Sequence, residues 1–208
     1  MSCPDLFAKN PYSQSRRCWE RALFDGRYDH AMDSFRPKYG TLNVFNDHLG
    51  DSTCKTYGLS YLVLKNVRSR CTFTASDSQL VSESCFPSSH VGVAEHYAHV
   101  LIQYRDEDLL ETLSVACSGG VLNRGNTSRD SHIYNEVQIH GEVKFNTHIE
   151  RVVLHEQDAH HADRIQDLCG KHGWNFSTMQ EERSRVLGPA WTMFSPVNYW
   201  LAAGARAR

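Results

Sequence analysis

What the chain lacks narrows its class. No apolar stretch among its 208 residues approaches the roughly 20 that cross a bilayer as a helix, so a soluble protein is expected. Neither sign of charge dominates. Against 24 Asp and Glu stand 22 Lys and Arg, a formal net charge of −2, so no global field draws the protein to nucleic acid or lipid. Any such contact must come from a local patch. The N-terminus, Met-Ser-Cys-Pro-Asp-Leu, lacks the basic, apolar and small-residue regions of a secretory signal. Seven cysteines, an odd number, include no C-x-x-C pair. Reduced thiols in a cytosolic or nuclear protein follow, with action in a foreign cell as a toxin as the alternative. Internal repeats are absent. So is a G-x-G-x-x-G between a strand and a helix, which removes dinucleotide binding of the Rossmann kind. The length suits one well-packed domain, at most with an appendage.

What is present is most concentrated in residues 132–141, His-Ile-Tyr-Asn-Glu-Val-Gln-Ile-His-Gly. Read with the period of a strand, Ile133, Val137 and Ile139 share one face and Tyr134, Glu136, Gln138 and His140 the other. A carboxylate, an amide and an imidazole then stand in a row on a rigid element, as a catalytic edge requires. An antiparallel strand with one wet face produces the same alternation without chemistry.

The twelve histidines raise the question of a metal. In the densest cluster, residues 155–161, His155 is followed by histidines at i+5 and i+6, not at the i+4 spacing by which one helix face binds an ion. Solvated histidines before a helix are expected, and no metal.

Coarse patterning gives a mixed architecture. Residues 12–24 read as a helix with Cys18, Trp19 and Leu23 as its stripe, ended by Asp25-Gly26. Residues 59–67, 99–104, 112–116, 132–141 and 149–154 read as strands, and residues 105–108 as a turn. Residues 118–131 read as a polar, glycine-bearing loop. Asp158 suits the N-cap of a helix burying Ala162, Ile165 and Leu168 or Cys169, stopped at Gly170 or Gly173. Residues 174–176 suit a short last strand, and the alanine-arginine end a frayed tail. Strands outnumber helices without alternating regularly, which predicts α+β with a largely antiparallel sheet.

Three segments in order carry a resemblance: Arg36-Pro37-Lys38-Tyr39-Gly40-Thr41-Leu42-Asn43, Arg70-Cys71-Thr72-Phe73-Thr74-Ala75-Ser76-Asp77-Ser78, and Tyr134-Asn135-Glu136-Val137-Gln138-Ile139-His140-Gly141. Together they resemble a largely uncharacterised group of bacterial proteins regarded as ADP-ribosyltransferase-like. They are also similar to the arginine, hydroxyl-strand and glutamate elements of the wider superfamily. Tyr-Asn-Glu followed by apolar residues is similar to the catalytic strand of the poly(ADP-ribose) polymerases. The resemblance implies a split, largely antiparallel sheet with flanking helices over residues 35–176. An N-terminal helical segment, residues 1–34, and a C-terminal extension, residues 177–208, lie outside it.

The implied chemistry is cleavage of the nicotinamide–ribose bond of NAD, used as a substrate, through an oxocarbenium-like centre. Glu136 would stabilise that centre, with Gln138 beside it. Arg36 would contact the dinucleotide, where a planar fork suits phosphate. Thr72 and Thr74 resemble the Ser-Thr-Ser element of the nicotinamide pocket, with Gly40 nearby, and Tyr39 or Tyr57 would stack on the ring. The chain departs from the pattern where Tyr134 replaces the usual Glu or Gln two residues before the catalytic glutamate.

Tyr134 and His140 are then expected toward the acceptor, with Arg124 and Arg129 of the preceding loop. Two arginines among small residues suit phosphate contact. Guanine bases in DNA are the first expectation, by analogy with shellfish enzymes that modify them, and a protein side chain is the second. A non-catalytic module holding NAD or a nucleotide is the reading from another class. A monomer is expected.

Overall fold

The computed structural model describes residues 11–44, 47–117 and 134–187. In chain order the elements are α1 (Pro11–Leu23), β1 (Lys38–Thr41), β2 (Tyr61–Leu64), β3 (Cys71–Thr74), α2 (Ser78–Ser82), β4 (Gly92–Val93) and α3 (Ala98–Leu101). There follow α4 (Asp106–Cys117), β5 (Glu136–Ile139), α5 (Phe145–His148), β6 (Ile149–Leu154), α6 (Ala162–His172), β7 (Asn175–Thr178) and α7 (Met179–Leu187). The architecture is α+β, as the sequence predicts. None of the described helices is long and apolar enough to cross a membrane.

The chain forms two compact units. The first comprises Met1–Thr41, Ser69–Tyr104 and Ile133–Val143, the second Leu42–Arg68, Arg105–His132 and Lys144–Arg208. This division cuts across the expected boundaries. In particular, α1 belongs with the sheet that carries Glu136.

In the first unit four strands in the order β1-β5-β3-β4 pair antiparallel throughout. The end of α1 buries Leu23 and Phe24 against Val81 of α2, with Trp19, Tyr28 and Val91 packed around them. The third position expected on its stripe, Cys18, is exposed, and Glu20 is buried instead. An acid on the buried face of a helix needs a partner, and it has one. On the apolar side of the sheet, Phe73 meets the edge of Tyr97, ring centroids 5.2 Å apart.

In the second unit β6 is central, antiparallel to β2 and parallel to β7. Ile165 and Cys169 of α6 pack on Ile149 and Val152 of β6, with Leu64, Trp174 and Phe176. Of the two candidate stops for α6, Gly173 ends it, at φ +68°, the left-handed conformation that glycine adopts without strain. Asp158 is not the cap of that helix. A 3-10 turn, Glu156–His161, precedes α6. The His155 ring accepts from the Gln157 N–H at 3.2 Å, while Asp158 accepts from the Ser60 hydroxyl at 2.5 Å.

Two expected strands are helices. Residues 98–101 form α3, and residues 106–117 form α4. The run Asp106-Glu107-Asp108, taken from sequence for a turn, is the first turn of α4, where acids offset the positive end of the helix dipole. Arg105 holds Asp108 through Nε at 2.8 Å and Nη2 at 3.1 Å. The buried positions Thr112 and Val115 lie three apart, helical spacing that the β-branched composition conceals.

Candidate functional site

Strand register brings the polar residues of the first unit onto one face. Gln138 stands opposite Tyr39 of β1 on one side and Thr72 of β3 on the other; Glu136 stands opposite Thr41 and Thr74. Directly opposed residues of antiparallel strands project to the same side. One face of the sheet therefore carries Tyr39, Thr41, Thr72, Thr74, Glu136 and Gln138, continued past the end of β5 by His140. Its reverse carries Gly40, Cys71, Phe73, Val137 and Ile139.

Neither face of β5 is wet. Gln138 and Thr74 are 0% exposed and Glu136 only 4%. The alternating pattern records a buried polar layer, not a solvated one. Such a layer is tolerated only if its groups are hydrogen-bonded, and around Glu136 and Gln138 they are. Gln138 Nε2 donates to Glu136 Oε1 at 3.0 Å and to Thr74 Oγ1 at 3.1 Å. The Thr74 hydroxyl donates to the Ser76 carbonyl at 2.8 Å. Thr72 Oγ1 donates to Gln138 Oε1 at 2.9 Å and lies 2.8 Å from His140 Nε2. His140 Nδ1 lies 2.5 Å from the Tyr28 hydroxyl.

The second oxygen of Glu136 is held more loosely. Oε2 accepts from the Ser78 N–H at 3.3 Å and from the Tyr134 hydroxyl at 3.4 Å, both at the weak end of the hydrogen-bond range. Burial raises the pKa of Glu136, opposed by the hydrogen bonds from Gln138 and Ser78, while the nearby Asp77 pushes it further up. Burial, followed by the Arg70 cation, lowers that of His140.

At one margin of this layer lies a buried ion pair. Arg36 Nη1 bonds Glu20 of α1, Nη2 donates to the Tyr28 carbonyl at 2.7 Å, and Nε is 3.4 Å from Asp33. Burial raises the pKa of Glu20 in spite of the Arg36 charge beside it. The Tyr39 ring is covered by the Arg16 guanidinium at 4.3 Å. The Tyr39 hydroxyl is buried without a hydrogen-bond partner among the described residues, and burial with the charges of Glu20 and Glu136 raises its pKa.

The expected site residues thus divide. Glu136, Gln138, Thr72, Thr74, Tyr134, His140 and Tyr39 come together. Arg36 is close in the fold but 8% exposed and engaged by Glu20. Gly40 faces the reverse of the sheet. Tyr57 lies in the second unit, 72% exposed. Arg124, Arg129 and their loop lie outside the described residues. Glu20 and Tyr28 escaped the sequence reading, and Ser78, the last residue of the second segment, was given no role there; the signal available for Glu20 was an acid one residue beyond Trp19 in an otherwise apolar stripe. Among the described residues no group of three His, Cys, Asp or Glu is arranged to hold a metal ion. His160 and His161 bring their rings 3.9 Å apart in the turn before α6.

The family model described as Protein of unknown function (DUF3626) matches residues 8–180. The match begins ahead of α1 and takes in every residue of the polar layer together with Glu20, Tyr28 and Arg36. The chain belongs to the DUF3626 family. No curated protein matches it. Family membership thus draws α1 into the same unit of sequence as β5, where the three-segment resemblance begins only near residue 35.

Proposed function

We propose that the protein is an NAD-dependent mono-ADP-ribosyltransferase in which Glu136 is the key carboxylate. The observation that carries this reading is the placement of Glu136 on β5. One oxygen is anchored by Gln138, the other is weakly held, and threonine hydroxyls flank it on the neighbouring strand. A ribose hydroxyl would displace the 3.3 Å and 3.4 Å contacts to Oε2, leaving the anchored oxygen in place. In the reaction the C1′–N bond breaks and its electron pair leaves with nicotinamide. The carboxylate offsets the positive charge left on the sugar, and the acceptor nucleophile then attacks C1′ and loses its proton. A preorganised carboxylate in a water-poor site supplies such stabilisation without reorganising.

The acceptor choice rests on the loop sequence before β5. Arg124 and Arg129 favour nucleic acid, hence guanine in DNA, with a protein side chain as the competitor. The near-complete burial of Glu136 favours a second reading, a module that binds NAD or a nucleotide without turning it over. Incubation with labelled NAD and, in turn, DNA, mixed protein or buffer separates these. Label on DNA that falls as salt rises is expected, because phosphate contacts release counterions. Label on protein with DNA untouched would overturn the acceptor. Saturable binding with no nicotinamide released would overturn the transferase.

A further inference from the structure

The proton positions in the polar layer are determined by its geometry. Gln138 Nε2 faces the Glu136 carboxylate at 3.0 Å, so the amide cannot be flipped without pointing its carbonyl at an anion. Its Oε1 therefore faces Thr72 and can only accept. The single hydrogen of the Thr72 hydroxyl is used on Oε1, so Thr72 Oγ1 must accept from His140 Nε2, 2.8 Å away. His140 accordingly carries a proton on Nε2, and in the neutral ring the bare Nδ1 accepts from the Tyr28 hydroxyl. Phe24 meets the imidazole edge-on at 5.1 Å and Tyr28 stacks at 5.9 Å, which fixes the ring plane.

We infer that His140, with its proton on Nε2, is a positioning residue for Glu136, acting through Thr72 and Gln138. The inference deepens the transferase reading and rests on it for its catalytic meaning. His140 thereby takes a different place from the acceptor contact expected from sequence. It is the far end of a chain whose other end is the Glu136 carboxylate.

A second proton on His140 would turn the Tyr28 hydroxyl from donor to acceptor and bring a cation into the layer. The charged and titratable groups around the ring do not welcome it. Tyr28, on the turn after α1, has its own pKa raised by burial and then by Glu20, with Arg27 opposing. Arg70, before β3, repels a cation on His140. Lys38 of β1 reaches the Gly141 carbonyl at 3.3 Å, and Arg70 the Glu142 carbonyl at 3.0 Å. A histidine whose folded pKa is depressed contributes stability above its ordinary value of 6.5. That contribution is lost as pH falls from there through the folded value. Nicotinamide release should fall on the same acid limb.

The test is NMR on the full chain. Imidazole nitrogen spectra should show His140 with Nε2 protonated and Nδ1 bare at neutral pH, titrating below 6.5. The Glu136 carboxyl carbon reports the other end. Thr72→Val and His140→Leu should each raise the Glu136 midpoint by about 0.5–1 pH unit, the shift that goes with weakening one hydrogen bond to a carboxylate. His140→Gln, which keeps an N–H toward Thr72, should restore it. An Nδ1–H or cationic His140 at neutral pH would overturn the inference, as would a Glu136 resonance indifferent to both first variants. Correct tautomer and coupling without nicotinamide release would sink the transferase reading and leave the positioning intact. Release with the wrong tautomer would do the reverse.

Discussion

At the scale of single residues, what separates the sequence reading from the structure is burial. A period of two pairs Glu136 with Gln138 and Thr72 with Thr74, the resemblance implies that the two strands share a site, and the register of β3 against β5 brings the four together. Arg36 was legible as a functional candidate but not as the partner of Glu20. That pairing joins residues sixteen apart through the turn after α1, and no local pattern announces it. Removing one member of a buried pair leaves the other charge uncompensated. Arg36→Ala is therefore expected to destabilise the fold by about 3–5 kcal/mol in urea unfolding, and Arg36→Met with Glu20→Leu by much less. A loss under about 1 kcal/mol for the single variant, the worth of an exposed pair, would mean that the guanidinium is solvated and available to a ligand.

At the scale of elements, the sheet of the first unit is read well where alternation is strong and poorly where helices are short. The two strands expected within residues 99–116 were drawn from β-branched and aromatic composition. For α4 the local helix signals were the acidic first turn and the Arg105–Asp108 pair. Gly92 shows a contact that no pattern could reveal. It pairs with Phe73 across β3 and β4, and a Cβ placed there would lie 2.5 Å from Val100 Cγ2 and 3.7 Å from the Val100 amide nitrogen. Val100 is fully buried, so it has little room to give. Gly92→Ala should cost about 1–3 kcal/mol, the range for overpacking a core. Thermal unfolding measures it, and an unchanged midpoint would show that β4 can move away from α3.

At the scale of the whole molecule, the sequence led correctly to α+β and to largely antiparallel pairing, while the two compact units interleave along the chain. Each unit draws on three separate stretches of chain. Contacts that return across so many residues leave no mark on local composition. The α1 helix, expected outside the region of resemblance, supplies Glu20, and the turn following it supplies Tyr28. Both border the polar layer of the first unit. The fold thus holds one carboxylate against an amide, a backbone N–H and a tyrosine hydroxyl, in a layer that also carries two threonines and an imidazole. Desolvation of that carboxylate is unfavourable by itself, as its raised pKa records. A chemical use for the charge gives a reason to keep it, since strained or costly groups collect where function needs them.

The most direct measurement is nicotinamide release from NAD by the wild-type chain and by Glu136→Gln, each with DNA present and with NAD binding followed in parallel. Gln keeps the shape and one acceptor oxygen but removes the charge. If Glu136 stabilises the sugar cation, turnover should fall by about 100-fold or more while NAD affinity changes little, the behaviour of an interaction made chiefly in the transition state. Equal rates of release from the two proteins, with Glu136→Gln folded, would contradict the assignment of Glu136.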